Sequence, residues 1–529
     1  MPPARDALSR MSVCVQRHVD GGMPRCTPAQ LVEDSPWVTH GKKGEVSRGS
    51  KGVHRVVHCR VGSRPSTAPP LNVMHVGAWD NNVGDNLALD HVQHHITDHL
   101  LPHRGTSTAI FHLLDLKYHF LEMNNELERV LDSFVHIGRM ELNVSLIVFG
   151  GGGLIQPGYA RMGSGWRLPL SQRIASRLGT LPYIVYGVGV NLWRSASAKA
   201  FTATEREGMR GAIIGALSFS VRNDGSYAAL TGLFPGDEDV KAKVWEVADP
   251  GMMLPISRCN LVRPSVINPE LPSTIWPFGR CAFQPAWNSD PAVNAGRMGT
   301  AGLEALAKLA TTARFVFLPH TPAKDFAFHA LLKSTATRLG HAPDEVRENV
   351  VSQSVFTSHI SIGHHAVLLE SLYSSGELQA LGERDLRFDA VVPMRGHGLY
   401  LCVALNIPCV ALSTQDKVSG FARICDLEDY LVDVDEDAHW AHNLTRKLYR
   451  IQTDEVYRSN WYAKRDTCLS RWEGVATRFH SDLRARFWNN QHEHIATTKA
   501  FSSSAARRYR AKASAPSGSR KPRRRSSIP

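Results

Sequence analysis

No run of about 18 consecutive apolar residues occurs in this 529-residue chain, so it offers no candidate for a membrane-crossing helix. The N-terminus also lacks the apolar core of a secretory signal, and a cytoplasmic address is the expectation that follows. The nine cysteines (Cys14, Cys26, Cys59, Cys259, Cys281, Cys402, Cys409, Cys425 and Cys468) contain no C-x-x-C pair and no tightly spaced even framework. Neither a zinc module nor a disulfide scaffold is therefore expected, and apolar settings such as those of Cys402 and Cys409 suit free thiols in a reducing compartment. His94 with His95, and His364 with His365, lack the i, i+4 spacing with carboxylates of a metal site, so they read as surface histidines and no metal is expected. Acids are missing from residues 505–529, which hold nine lysines and arginines. Most of the formal net charge of +12 sits in that tail. The body is nearly neutral and carries no nucleic-acid signal of its own.

What the chain does have is apolar bulk, 43% hydrophobic against 21% charged residues, the proportions of a folding globular protein. Its length exceeds what one core fills, so two packed domains are expected. Residues 1–68 mix Pro, Gly, Ser, Arg and His without periodicity and read as a disordered leader, an unrecognised transit segment or a mis-assigned start. From residue 71, short apolar runs ending in Gly or polar residues alternate with amphipathic stretches, the βαβ rhythm of a parallel sheet. LNVMHVGAW, NVSLIVFGGGGLI, LPYIVYGVGV and ALSFSVRND are the strands of a first series, with helices at 86–99, 170–178 and 203–214. After a Pro-rich interruption, strands at 281–287, 314–320, 389–394 and 408–412 alternate with helices at 301–311, 325–338 and 397–405. The reading is an α/β protein with two Rossmann-like doubly wound domains, 69–255 and 280–432, facing across a cleft and joined by a linker at 256–279. Helices at 433–500 and a disordered basic tail at 501–529 complete it.

Open parallel sheets bind ligands beyond the carboxyl ends of their strands. Asp85 stands there in AWDNNVGDN, where it either caps the following helix or serves as base toward an acceptor hydroxyl. The glycines of FGGGGLI, Gly151 and Gly152 among them, either let the backbone approach a ligand or make a tight turn. No acidic residue closes a strand some 20 residues on, which disfavours a dinucleotide cofactor. Arg222, in SFSVRNDGS, either pairs with a nearby carboxylate or grips a phosphate with its planar fork. In VVPMRGHG, Arg395 carries a fixed charge two positions from His397, an imidazole able to titrate near neutrality, so the pair offers an anion clamp beside a proton donor. A core histidine bonded to a carbonyl is the plainer role for His397. Lys417 and His320 lie at further strand ends.

Taken in order, Asn82-x-Gly84-Asp85, Gly150 to Gly153, Gly187-Val-Gly189, Val221-Arg222-x-Asp224-x-Ser226, Asp249-Pro250, Pro319-His320, Arg395-x-His397 and NIPCVALSTQDKVSGF resemble the polysaccharide pyruvyl transferase family over roughly residues 71–432. The resemblance implies a glycosyltransferase-B-like (GT-B-like) pair of domains and transfer of the pyruvyl group of phosphoenolpyruvate onto hydroxyls of a glycan or lipid-linked oligosaccharide. It further implies no cofactor. Arg222 and Arg395 would hold the donor, Gly151, Gly152, His320 and Lys417 would line it, His397 would be the general acid, and Asp85 would assist the acceptor. The chain departs from the family at Gly396, where a bulky apolar residue is usual and where its absence would loosen the imidazole. Two rival readings stand beside this one: a nucleotide-sugar glycosyltransferase on the same frame, and a noncatalytic glycan- or nucleic-acid-binding protein acting through its basic tail.

Overall fold

Parallel strands covered by helices on both faces read as unbroken apolar runs, and LIVFG at 146–150 and YIVYGV at 183–188 are buried at every position. A computed structural model describes residues 53–59, 71–77, 83–101, 108–115, 125, 127–132, 144–157, 177–178, 181–191, 200–253, 281–284, 291–312, 316–317, 322–342, 390–404 and 406–513. The first sheet contains β1 (Val53–Cys59), β2 (Leu71–Gly77), β3 (Thr108–Asp115), β4 (Leu146–Gly150), β5 (Tyr183–Val188), β6 (Ser218–Arg222) and β7 (Val244–Val247). Their order is β1-β3-β2-β4-β5-β6-β7, parallel except for β1 against β3. Helix α1 (Val83–Leu100) follows β2, α2 (Ala203–Gly215) precedes β6, and α3 (Ser226–Thr231) and α4 (Glu238–Lys243) lead into β7. α2 starts cleanly because Thr202 and Glu205 form a reciprocal capping box.

The second half contains β8 (Cys281–Gln284), α5 (Pro291–Thr312), β9 (Val316–Phe317), α6 (Pro322–Arg338), β10 (Ala390–Pro393), α7 (Gly396–Ala404), β11 (Ala411–Ser413), α8 (Asp416–Ile424) and β12 (Leu431–Asp433). β10-β8-β9 and β11-β12 pair in parallel, and the bridge between Val391 and Cys409 joins the two groups. The chain closes with α9 (Trp440–Thr453) and the long α10 (Glu455–Ala513). Two doubly wound α/β halves, the GT-B-like arrangement, are thus what the chain forms.

Among the described residues three cores follow from this layering. Ile147, Phe149, Met209, Ile213 and Phe219 fill one face of the first sheet. Val73, Val92, Ile96, Val148 and Ile184 fill the other, together with Phe479, Leu483 and Phe487 of α10. The core of the second half takes Val391, Leu412 and Phe421 with Trp440, Leu444, Leu448 and Ile451 of α9, the 4, 4, 3 spacing of an inward helical face. Tyr457, Trp461 and Trp472 of α10 belong to that core as well. The last helix therefore starts in one half and passes onto the other. Each of its buried aromatics is worth about 3–5 kcal/mol against truncation to alanine.

Four expectations are corrected. Residues 53–59, assigned to a disordered leader, form the edge strand β1. The tail expected from 501 is helical to Ala513; the rest of it, the rest of the leader and the linker at 256–279 lie outside the described residues. β3 and β7 were not anticipated: TAIFHLLD carries a histidine in mid-run, and VWEV is too short for a pattern to register. Cys425 and Cys468 are bonded, with Cα atoms 5.1 Å apart, tying the end of α8 to α10. Two cysteines 43 positions apart have no sequence signature as a pair, and the inference of a reducing compartment loses its basis. Cys402 and Cys409 are free and buried as expected. Among the described residues no helix is long and apolar enough to cross a membrane.

Candidate functional site

In the first sheet β3 lies on one side of β2 and β4 on the other, so the chain changes direction at the carboxyl ends of β2 and β4. In the second, β9 and β10 flank β8 in the same way. Such switch points leave a gap between diverging helices. The first gap carries Gly84, Asp85 and the glycine turn, the second carries Arg395 and His397, and the two meet.

Asp85 stands in the first turn of α1. Gly151 and Gly152 have φ of +77° and +76°, and a β-carbon on Gly152 would lie 2.9 Å from the Asp85 Oδ1. The turn thus folds back under α1 and supports Asp85 from below. One residue earlier, a β-carbon on Gly84 would lie 2.4 Å from His397. The absence of a side chain there seats the imidazole of one half against the backbone of the other.

His397 is nine-tenths buried in the first turn of α7. Its Nδ1 faces Asp85 Oδ1 at 3.7 Å and its Nε2 faces Asp249 Oδ2 at 3.6 Å. Both gaps exceed a hydrogen bond, and Nε2 has no hydrogen-bond partner. Asp249 is wholly buried after β7, with Oδ1 accepting the Gly251 N–H at 2.8 Å. Burial alone would raise its carboxyl, but His397, Arg222 and the Gly251 N–H outweigh that and hold it below the ordinary range.

Arg222, 1% exposed at the end of β6, donates from Nε to Asp224 at 2.7 Å and from Nη1 to Asp249 at 3.3 Å. Burial opposes its charge, and Asp224 leads the neighbours that more than compensate, so it stays a cation. Asp224 also accepts from the Ser226 N–H and hydroxyl, and across the seam from the Tyr400 hydroxyl at 3.3 Å. Burial and Asp224 push the Tyr400 phenol up, which keeps it a neutral donor.

Gly396 finds its explanation here. A β-carbon on it would lie 3.0 Å from the Tyr400 hydroxyl, so the missing side chain makes room for the tyrosine that reaches Asp224. Tyr400 then packs edge-on against the His397 ring, 5.6 Å between centroids. The imidazole is held by Tyr400 and Gly84, which corrects the expectation that Gly396 would loosen it.

Lys417, in the first turn of α8, completes the group. Burial and the nearby charges of Arg222 and Arg395 bring its ammonium down to about 8, against partial support from Asp85 and Asp224. Arg395 is half-buried at the end of β10. The structure thus gathers Asp85, Gly152, Arg222, Arg395, His397 and Lys417 in one place, with Gly151 beneath α1. His320 lies outside the described residues. Sequence reasoning overlooked Asp249, although its position before Pro250 at a strand end was a signal, and Tyr400, which lies one helical turn beyond His397.

Neither the family models nor the curated proteins compared yielded a match. Among solved structures, the chain is similar to a UDP-forming α,α-trehalose-phosphate synthase from Burkholderia vietnamiensis, with 12% identity, 79% of this chain and 99% of that one covered, and a TM-score of 0.41. It is similar as well to an E. coli structure bound with UDP-2-fluoro glucose, with 10% identity, 78% and 99% covered, and a TM-score of 0.42. A third is the Methanocaldococcus jannaschii UDP-GlcNAc 2-epimerase in complex with UDP-GlcNAc and UDP, with 8% identity, 73% and 94% covered, and a TM-score of 0.37.

The expectation of pyruvyl transfer from phosphoenolpyruvate is corrected at this point. The arginine assigned to the donor phosphate, Arg222, is sealed in and already engaged by Asp224 and Asp249.

Proposed function

We propose that the chain is a glycosyltransferase that takes a sugar from a nucleotide-sugar donor bound between its two halves. The observation that carries the reading is His397 lying between Asp85 and Asp249 where the two switch points meet, with Arg395 and Lys417 beside it. Transfer breaks the bond between the anomeric carbon and a phosphate oxygen and forms one to an acceptor hydroxyl oxygen. The hydroxyl proton goes to His397, and Asp249 faces the imidazolium that results. The departing diphosphate gathers negative charge, which Arg395, Lys417 and the N-terminus of α7 are suited to meet. Arg222 supports the site by holding Asp249 in place.

The test is thermal protection of the full chain by UDP, UDP-glucose and UDP-N-acetylglucosamine, with phosphoenolpyruvate as comparison, followed by UDP release with a panel of sugar acceptors. Nucleotide sugars are expected to raise Tm, and His397→Ala to lower UDP release by about 10²–10⁴-fold while leaving the fold intact. Absence of any nucleotide-dependent shift, or full release by His397→Ala, defeats the reading.

A further inference from the structure

The histidines expected on the surface of α1 are instead a packed cluster far from His397 in the chain. His91, His95 and His99 follow one another at i, i+4 spacing, with ring centroids 6.3 and 6.1 Å apart, and His94 lies 6.1 Å from His91. His480 of α10 comes down on them, stacked on His99 at 4.0 Å and 17° and edge-on to His95 at 5.0 Å. The Tyr186 hydroxyl of β5 bonds His95 Nδ1 at 2.8 Å and also His480 Nε2. His91 and His480 are buried, and no ring nitrogen of His91 has a partner. Among the described residues no group of side chains is arranged to hold a metal ion, and two parallel stacked rings cannot aim their lone pairs at one point.

Stacked neutral imidazoles attract, whereas stacked imidazolium ions repel each other in a site with little water. We propose that this histidine cluster is a proton-operated latch, holding α10 on the N-terminal half while its rings are neutral and releasing it when they are protonated. The attachment it controls is specific: Phe479 packs on Tyr186 and Trp245, Leu483 and Phe487 join the same core, and Trp488 Nε1 donates to the Leu100 carbonyl at 3.1 Å.

Asp98 shares α1; Arg478, Asp482, Arg484 and Arg486 share α10, where Asp482 pairs with Arg486 at 2.8 Å; Glu246 and Lys243 lie at the β7 edge. His75 of β2 is occupied by Gln93 and the Gly150 carbonyl. Burial and the neighbouring imidazoles bring His95 from 6.5 down to about 3, and lower His91 and His480 as well. These rings therefore bind protons more readily once α10 has left. The docked state is favoured fully above pH 6.5 and loses ground as pH falls from there toward 3.

Hydrogen exchange of the full chain, corrected for intrinsic rates, tests this at pH about 7.5 and about 5. Residues 479–491 are expected to exchange at least about tenfold more readily at the lower pH, with β10, which belongs to the other core, unchanged as internal control. His480→Phe keeps an aromatic ring without a proton acceptor and should show a smaller acid response than wild type, His91 and His95 remaining; if that variant does not fold, His99→Phe, which likewise removes the stacked imidazole pair, should also show a smaller response. Equal protection of the wild-type segment at both pH values overturns the proposal, and so does an acid response in the Phe variant as large as in wild type.

Discussion

Gly84 and His397 share one space: a β-carbon on the glycine would sit 2.4 Å from the Cβ, Cγ and, within a tenth of an ångström, Nδ1 of the imidazole. Gly84→Ala must therefore displace His397 or push the two halves apart. A loss of about 1–3 kcal/mol in stability is expected from the overpacking. A fall of about 10²-fold in transfer should follow from the misplaced ring. Thermal unfolding and UDP-release rates check the two effects separately, and unaltered turnover would show that the imidazole position is not critical.

Arg222 separates a supporting role from donor binding. Arg222→Met leaves Asp224 and Asp249 buried without their cation, so a loss of about 3–5 kcal/mol is expected. A residue that merely gripped a donor would raise KM and leave Tm alone. Chemical denaturation of the variant decides, and a near-wild-type midpoint would restore the donor-gripping role.

Lys417 predicts a pH dependence of donor binding. Its ammonium is charged below about 8 and neutral above, so affinity for an anionic donor should decline as pH rises through that value. Lys417→Met should bind more weakly and lose this limb of the profile. Titration calorimetry across pH checks it, and an identical profile in both proteins would remove Lys417 from the site.

The Cys425–Cys468 bond predicts a redox-dependent stability. Closing a loop of this size is worth about 2–4 kcal/mol, so a reductant should lower Tm in wild type and have no effect on a Cys425→Ala, Cys468→Ala variant. A reductant shift that persists in the double variant would assign it elsewhere.

The strand-end rule picked out Asp85, Arg222, Arg395, His397 and Lys417 from sequence because each stands one step beyond an apolar run, where βαβ chains turn. What those runs cannot show is which charges meet. Arg222 ends β6 and Asp249 follows the neighbouring β7, 27 positions on, and the pairing that removes Arg222 from solvent depends on how those two strands align. Tyr400 reads as one more apolar member of a helix until its hydroxyl is seen crossing to Asp224. His480 lies hundreds of positions from α1, so the histidine cluster was visible only as His94 and His95 on a helix whose inward face was misjudged. The α9 face, set by local periodicity, was legible in full.

Because α10 begins among Tyr457 and Trp461 and carries Phe479 and Phe487 further along, it belongs to both cores. A recombinant swap of either half with that of another protein would have to divide this helix between Trp472 and Phe479. Cutting at the linker instead would leave an apolar strip of Val92, Ile96 and Ile184 bare on the severed piece, inviting it to aggregate.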